Sequence, residues 1–270
     1  RDILPKVNSG EFQLRLRAAD GTRFERTEQK LLKVEEILDK LVGEKNIEIT
    51  SAMAGIHPPQ FSTSPLYLFM AGPQEAVLQV KLKEDYHVNM DDLQERLRNK
   101  IHAEMPELHL SFEPIELTSK ILSQGSPTPI EVKISGKDKK RNIVYANKII
   151  SEMNKITYLR DIQIGQSTNY PALNINIDRS QAARLGVSLT DISHSLSTST
   201  SSSRYTDKII WLDQKSNISY NVQVEIPEFK MSGLNTIKEI SVKNDQDRPV
   251  LSDVADVKFG TTNGENDNIG

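Results

Sequence analysis

Cysteine is absent from all 270 residues, which excludes disulfides and thiolate metal centres. That is compatible with an oxidising compartment without proving one. A basic excess is also missing: 34 Lys and Arg stand against 37 Asp and Glu, for a net charge of −3. General nucleic-acid binding is therefore disfavoured. No apolar run approaches the ~18 residues of a membrane span, and no signal peptide is visible. The five histidines, His57, His87, His102, His109 and His194, never take the i, i+4 spacing of a helical zinc pair. His102 and His109 flank a helix-to-strand turn and read as a chance pair. There is no Walker loop, no G-x-G-x-x-G and no G-x-S-x-G elbow. Asp253 and Asp256, close together on a short turn, read as a cap and a solvated acid. An enzyme reading thus lacks a constellation; no catalytic residue, metal ligand or cofactor is assigned.

What is present fits a folded, polar chain: 37% hydrophobic and 26% charged residues, with a mean hydropathy of −0.47. Its length favours two or three subdomains. A strand–helix–strand pattern recurs three times. Phe12, Leu14 and Leu16 alternate with Gln13, Arg15 and Arg17; a capping box of Thr22 and Glu25 opens a helix with Phe24, Leu31, Leu38 and Leu41 on one stripe; Gly43 ends it, and Ile47 and Ile49 mark a return strand. Ala76, Leu78, Val80 and Leu82 alternate next. Asn89 caps a helix carrying Leu93, Leu97 and Ile101, and Leu108, Leu110 and Phe112 follow. The third unit runs from Ile130, Val132 and Ile134 through a helix capped by Asp138, with Ile143, Ile149 and Met153, to Ile162 and Ile164. Two such units in series make a split βαβ, ferredoxin-like arrangement with both helices on one sheet face. The opposite face carries Gln13, Arg15, Arg17, Gln79 and Lys81 and reads as solvated or as a partner or channel surface.

From Leu173 to Leu196 a strand stops at Asp178, which caps a short helix. Gly186 takes the left-handed position after that helix, and Ser188 with Asp191 forms a capping box for the next. The Ser/Thr tract at 197–205 reads as loop. A strand pair at 209–212 and 220–226 follows, with Pro227 ending its second member. Leu234 to Val242 leads towards another strand, and residues 249–257 read as strand, helical turn and strand. The fold class is α+β: ferredoxin-like βαβ repeats, the second interrupted by an α+β insertion at 165–245. One connection stands out. Ala54 to Glu75 is long, contains Pro58, Pro59, Pro65 and Pro73, and carries Phe61, Tyr67, Phe69 and Met70. Loops of this kind are often functional, and aromatic and Met side chains suit varied hydrophobic ligands. The alternative is that 66–70 is a strand whose aromatics pack on the helices.

Four stretches in order resemble the second periplasmic loop of resistance-nodulation-division (RND) efflux transporters. They are LPKVNSGEFQLRLRAADGTRFERTEQ from Leu4, SPTPIEVKISG from Ser126, ALNINIDRSQAARLGVSLTDI from Ala172 and PVLSDVADVKFG from Pro249. The resemblance implies a first C-terminal porter subdomain at 1–125. A second, at 126–164 and 246–270, is incomplete at its C-terminus and interrupted by a docking domain at 165–245. It also implies the periplasmic portion of a Gram-negative inner-membrane homotrimer, driven by proton influx and working with a periplasmic adaptor (membrane fusion) protein and an outer-membrane channel. Both ends of the chain read as cut. Met53, Ile56, His57, Phe61, Tyr67, Phe69 and Met70 correspond to the substrate pocket and switch loop of multidrug, acriflavine-resistance-type members. Metal-exporting members place methionines where this chain has Arg15, Glu75 and Ile121. The resemblance therefore implies export of hydrophobic or amphiphilic small molecules. A copper or silver exporter of the same family is one alternative, and a freestanding periplasmic ligand-binding or scaffold protein is another.

Overall fold

The structure is a computed structural model describing residues 10–55, 72–113, 128, 130–203, 206–231, 233–243 and 247–263. It divides into two units, 1–170 with 262–270 and 171–261. No helix among the described residues is long and apolar enough to cross a membrane.

In the first unit, β1 (Glu11–Arg17), α1 (Phe24–Val42), β2 (Ile47–Ala54), β3 (Glu75–Leu82), α2 (Met90–Glu104) and β4 (His109–Glu113) follow one another. The strands pair in the order β2-β3-β1-β4, all antiparallel, which is the split βαβ arrangement expected. Strand periodicity explains the core. Phe12, Leu14 and Leu16 of β1 join Ala76, Leu78, Val80 and Leu82 of β3 and Leu110 of β4, and bury against Leu31, Val34, Ile37 and Leu38 of α1 and Leu93, Leu97 and Ile101 of α2. Gly43 at φ 84 donates its N–H to Asp39 O and stops α1, and Asn89 accepts from Asp92 N to start α2.

One local expectation fails, and the return strand of Ile47 and Ile49 forms with an irregularity. Thr22 does not cap α1: its hydroxyl donates to Ala19 O at 2.6 Å, closing the preceding turn, and the cap position falls to Arg23 without a side-chain bond. Ile49 does not join Ile47 at the core. A register shift pairs Ile47 with Leu82 but Ile49 with Lys81, and such a bulge moves the side chain to the other face. Ile49 is 60% exposed.

The third helix, α3 (Lys139–Met153), is capped by Asp138 as expected but buries no residue. Residues 130–134 and 162–164 do not form strands. Ile130 and Val132 are exposed, and the carbonyl of Ile164 is taken by the Arg17 guanidinium at 2.9 Å rather than by a ladder.

The second unit contains β5 (Tyr170–Ile177, its first residue in the first unit), α4 (Arg179–Arg184), α5 (Leu189–Thr200), β6 (Ile209–Leu212), β7 (Ser219–Val222), α6 (Leu234–Lys238), α7 (Leu251–Val254) and β8 (Ala255–Thr262, its last residue in the first unit). β5 pairs with β8 and β6 with β7. Asp178 accepts from Ser180 N and Gln181 N, Gly186 has φ 63, and the Ser188–Asp191 capping box is complete. Together these place Ala182, Val187 and Ile192 in a small core with Val242, Leu251, Val254 and Val257. The Ser/Thr tract departs from expectation: α5 runs to Thr200, where the Thr200 hydroxyl bonds back to Leu196 O at 2.8 Å. Ser203 then exchanges hydrogen bonds with the Val224 backbone. Residues 234–238 are helical, and only Ser241 bridges to Val250. Asp253 accepts from Val250 N at 2.9 Å and Asp256 pairs with Lys258.

Leu14→Ala is expected to cost about 2–5 kcal/mol, and Ser188→Ala about 1 kcal/mol, both read from urea midpoints. Hydrogen bonds from the Ser188 hydroxyl and N–H, then the charges of Lys243 and His194, lower the Asp191 pKa. A depressed folded pKa gives a contribution present above the unfolded value, about 3.9 for Asp, and lost as pH falls through the lower folded value. Asp191→Asn should remove that part of the acid dependence of the midpoint.

Candidate functional site on the polar face of the sheet

Every second residue of the four strands points away from α1 and α2. In register, Ser51, Gln79, Gln13 and Glu113 form one row; Met53, Val77, Arg15 and Ser111 form the next; Glu75, Arg17 and His109 form a third. This face is not the solvated surface that alternation alone allowed. The side chain of Glu75 is 1% exposed, those of Arg15 and Arg17 15% and 13%, and that of Glu113 3%.

Most of this buried charge is met by hydrogen-bonding partners, although Glu113 Oε1 accepts no hydrogen bond from the described residues. Glu75 Oε1 accepts from Arg15 Nη2 at 2.9 Å and from Arg17 Nε at 2.8 Å. Arg15 Nη1 lies 4.0 Å from Glu113 Oε1. Gln13 donates to Glu113 Oε2 at 2.8 Å, and Gln79 donates to Gln13 at 2.9 Å. Two carboxylates thus meet two guanidinium groups and the Gln13 amide, which Gln79 supports in turn, the fixed fork of arginine suiting a shared acceptor.

Of the site residues proposed from sequence, Met53 is described. It is half-buried on β2 opposite Val77, on this same face. Ile56, His57, Phe61, Tyr67, Phe69 and Met70 lie outside the described residues. Gly55, at the start of that connection, has φ 83, and a Cβ there would sit 2.7 Å from the Phe24 ring. Its N–H donates to Glu75 O at 2.8 Å, so the loop leaves directly beside Glu75. Arg15 and Glu75 were legible as positions of interest; their ion pair, with Arg17 as a second partner, was not.

A second cluster was missed. Arg98 forks onto Asp161, Nε to Oδ1 at 2.8 Å and Nη2 to Oδ2 at 2.9 Å, and reaches Glu95 through Nη1 at 2.6 Å. Burial works against the Arg98 charge, but the hydrogen bond and charge of Asp161 and then Glu95 outweigh it and raise its pKa. His102 and His109, read as a chance pair, line the same cleft of about 280 Å³ with Arg98, Arg160 and Asp161. Among the described residues, no three His, Asp or Glu side chains converge as metal ligands.

Glu75→Leu is expected to lower stability by about 3–5 kcal/mol, because it removes the carboxylate that two part-buried guanidinium groups share. Chemical denaturation of the chain checks this; a loss below about 1 kcal/mol would place the pair among solvent-screened ones.

Comparison with known proteins places this geometry. The chain is 21% identical over 203 residues to the cation efflux system protein CzcA of Alcaligenes sp. (strain CT14), covering 73% of the chain and 18% of that protein. The cobalt-zinc-cadmium resistance protein CzcA of Cupriavidus metallidurans matches to the same extent. The chain therefore spans about a fifth of the length of these curated relatives. Two crystal forms of a heavy metal efflux pump share the fold, with TM-scores of 0.75 and 0.77 at 19% and 18% identity; each match covers 97% of this chain and 26% of the pump. The profile of the AcrB/AcrD/AcrF family matches residues 1–265, and the chain belongs to that family, the RND group its four signature stretches resemble.

Proposed function

We propose that the chain is the second periplasmic porter-plus-docking segment of a proton-driven RND exporter of hydrophobic or amphiphilic organic compounds. Its parts are a porter subdomain at 1–125, a second at 126–164 and 246–270, and a docking domain at 165–245. The observation that carries the cargo class is the compensated polar face. Glu75 and Glu113 are engaged by Arg15, Arg17 and Gln13, so a metal cation bound there must first displace a guanidinium, whereas an uncharged amphiphile need not. Met53 on that face and the connection beginning at Gly55 are the contacts we assign to cargo. The segment performs no covalent chemistry.

A second reading, export of heavy-metal cations, is favoured by the printed descriptions of the relatives, a cation efflux protein and a heavy metal efflux pump. Disrupting the full-length gene separates the two. Sensitisation to dyes, detergents and hydrophobic antibiotics supports the first reading. Sensitisation only to zinc, cobalt, cadmium, copper or silver salts supports the second.

The assembly reading is a homotrimer that meets an adaptor and an outer-membrane channel. It draws support from the β6–β7 hairpin, where Ile209, Ile210, Trp211, Leu212, Tyr220 and Val222 are all exposed. A two-stranded hairpin is marginal alone, and apolar surface on both faces calls for cover. Trp211→Ser should change the stability of the chain by under about 0.5 kcal/mol yet reduce export by the full-length protein. Unchanged export and unchanged oligomeric state would remove the hairpin from the interface.

A further inference from the structure

Residues 157–167 contain no helix or strand, yet side chains of the first unit fasten them at five places. Arg160 Nε donates to the Glu95 carboxylate at 3.2 Å. Arg98 forks onto Asp161, whose backbone is held in the left-handed region at φ 54. Gln163 Nε2 donates to Leu110 O at 3.1 Å. Arg17 donates from Nη1 to Ile164 O at 2.9 Å and from Nη2 to Gly165 O at 2.5 Å. Ser167 Oγ donates to Asp20 Oδ2 at 2.6 Å. Just beyond this strap the chain enters β5 and passes from the first unit to the second after Tyr170.

Arg17 is the one member of this set that also belongs to the polar face. Its Nε holds Glu75 while both terminal nitrogens hold the strap, so all three nitrogens of one planar group are engaged in different directions. The guanidinium is rigid and its donors form a fixed fork. Turning the plane to follow a displaced Glu75 would pull Nη1 and Nη2 off the two carbonyls. The partners differ in kind: Glu75 is a buried carboxylate that forms an ion pair with the guanidinium, whereas the carbonyls are neutral acceptors. A bond between two ionised groups is the stronger of the two, so Glu75 sets the plane and the strap follows it.

We propose that Arg17 is a positioning residue, a latch that seats the 157–167 strap only while Glu75 of the polar face holds its guanidinium in place. Through it, the state of that face controls the order of the segment leading into β5. This goes beyond the exporter reading and does not rest on it.

The absence of cysteine makes the test direct. A nitroxide on Thr168→Cys reports strap mobility, and amide hydrogen exchange reports the backbone of 162–168 against α1 and α2. Three variants are compared in the full 270-residue chain. Glu75→Gln leaves every strap partner of Arg17 intact but is expected to raise exchange at 162–168 roughly tenfold, the scale of one charge-assisted hydrogen bond, with a sharpened nitroxide spectrum and a smaller change in α1. Arg17→Lys should do the same, because an ammonium keeps the charge but lacks the planar fork. Asp161→Asn should loosen the first half of the strap and leave exchange in β1 and β3 unchanged. The proposal is overturned if Glu75→Gln leaves the strap as protected as in the parent, or if strap exchange rises only in step with α1. Should Glu75→Gln not fold, Glu75→Asp, which retracts the carboxylate by one methylene, is judged by the same two criteria.

Discussion

A carboxylate with 1% of its side chain exposed cannot stay charged without counter-charges at bonding distance, and much of the first unit is arranged around meeting that condition for Glu75. Arg15 and Arg17 lie on one side of β1 because strand side chains repeat every second residue. They reach Glu75 because β3 pairs with β1 in the register that sets Arg17 opposite Glu75. A slip of β3 by one residue would drive Glu75 into the helix-side core and expose Leu78. The apolar alternation on one face and the charge alternation on the other therefore select the same register, each strengthening the other.

Each unit has its own means of cohesion. In the first, nearly every apolar strand residue on the helix side is buried beneath α1 or α2. In the second, a small core forms where capped short helices bring Ala182, Val187 and Ile192 to Leu251 and Val254. The β6–β7 hairpin contributes nothing to it: its apolar residues pair across the strands, Trp211 with Tyr220 at 5.8 Å, and remain open on both faces. The same contrast marks α3, whose stripe of Ile143, Ile149 and Met153 finds no buried position. Such surfaces belong to a chain whose relatives are several times longer.

Local chemistry was the legible part. Asn89, Asp138, Asp178 and Ser188 each cap the helix their position implied, because a cap depends only on the next few residues. The paired core of β1, β3, α1 and α2 followed from periodicity, and with it the ferredoxin-like order. What escaped depended on distant partners. Nothing near Gln13 signals that Glu113 will bury it, and nothing near Arg98 points to Asp161 across α3. The alternation of Ile47 and Ile49 was read correctly as a strand but not as a bulge, because a bulge is a property of the pairing. The Ser/Thr tract was taken as loop on composition, whereas back-bonding hydroxyls let α5 continue to Thr200.

The relatives and the polar face pull in different directions on cargo, and physical chemistry says how to weigh them. At about a fifth identity, what persists is the backbone arrangement, since many side-chain sets satisfy one core. Selectivity rests on a few groups that change without disturbing that core. On the proposed reading Arg15 and Arg17 are such groups: they face away from α1 and α2 and pair with carboxylates of that face. On that reading, a metal binding Glu75 must displace two guanidinium partners and deprive those part-buried groups of their shared carboxylate, a penalty comparable to breaking a buried ion pair. An uncharged amphiphile incurs no such exchange. On the proposed reading, the residues at these positions constrain cargo more tightly than a fold shared at this level of identity does.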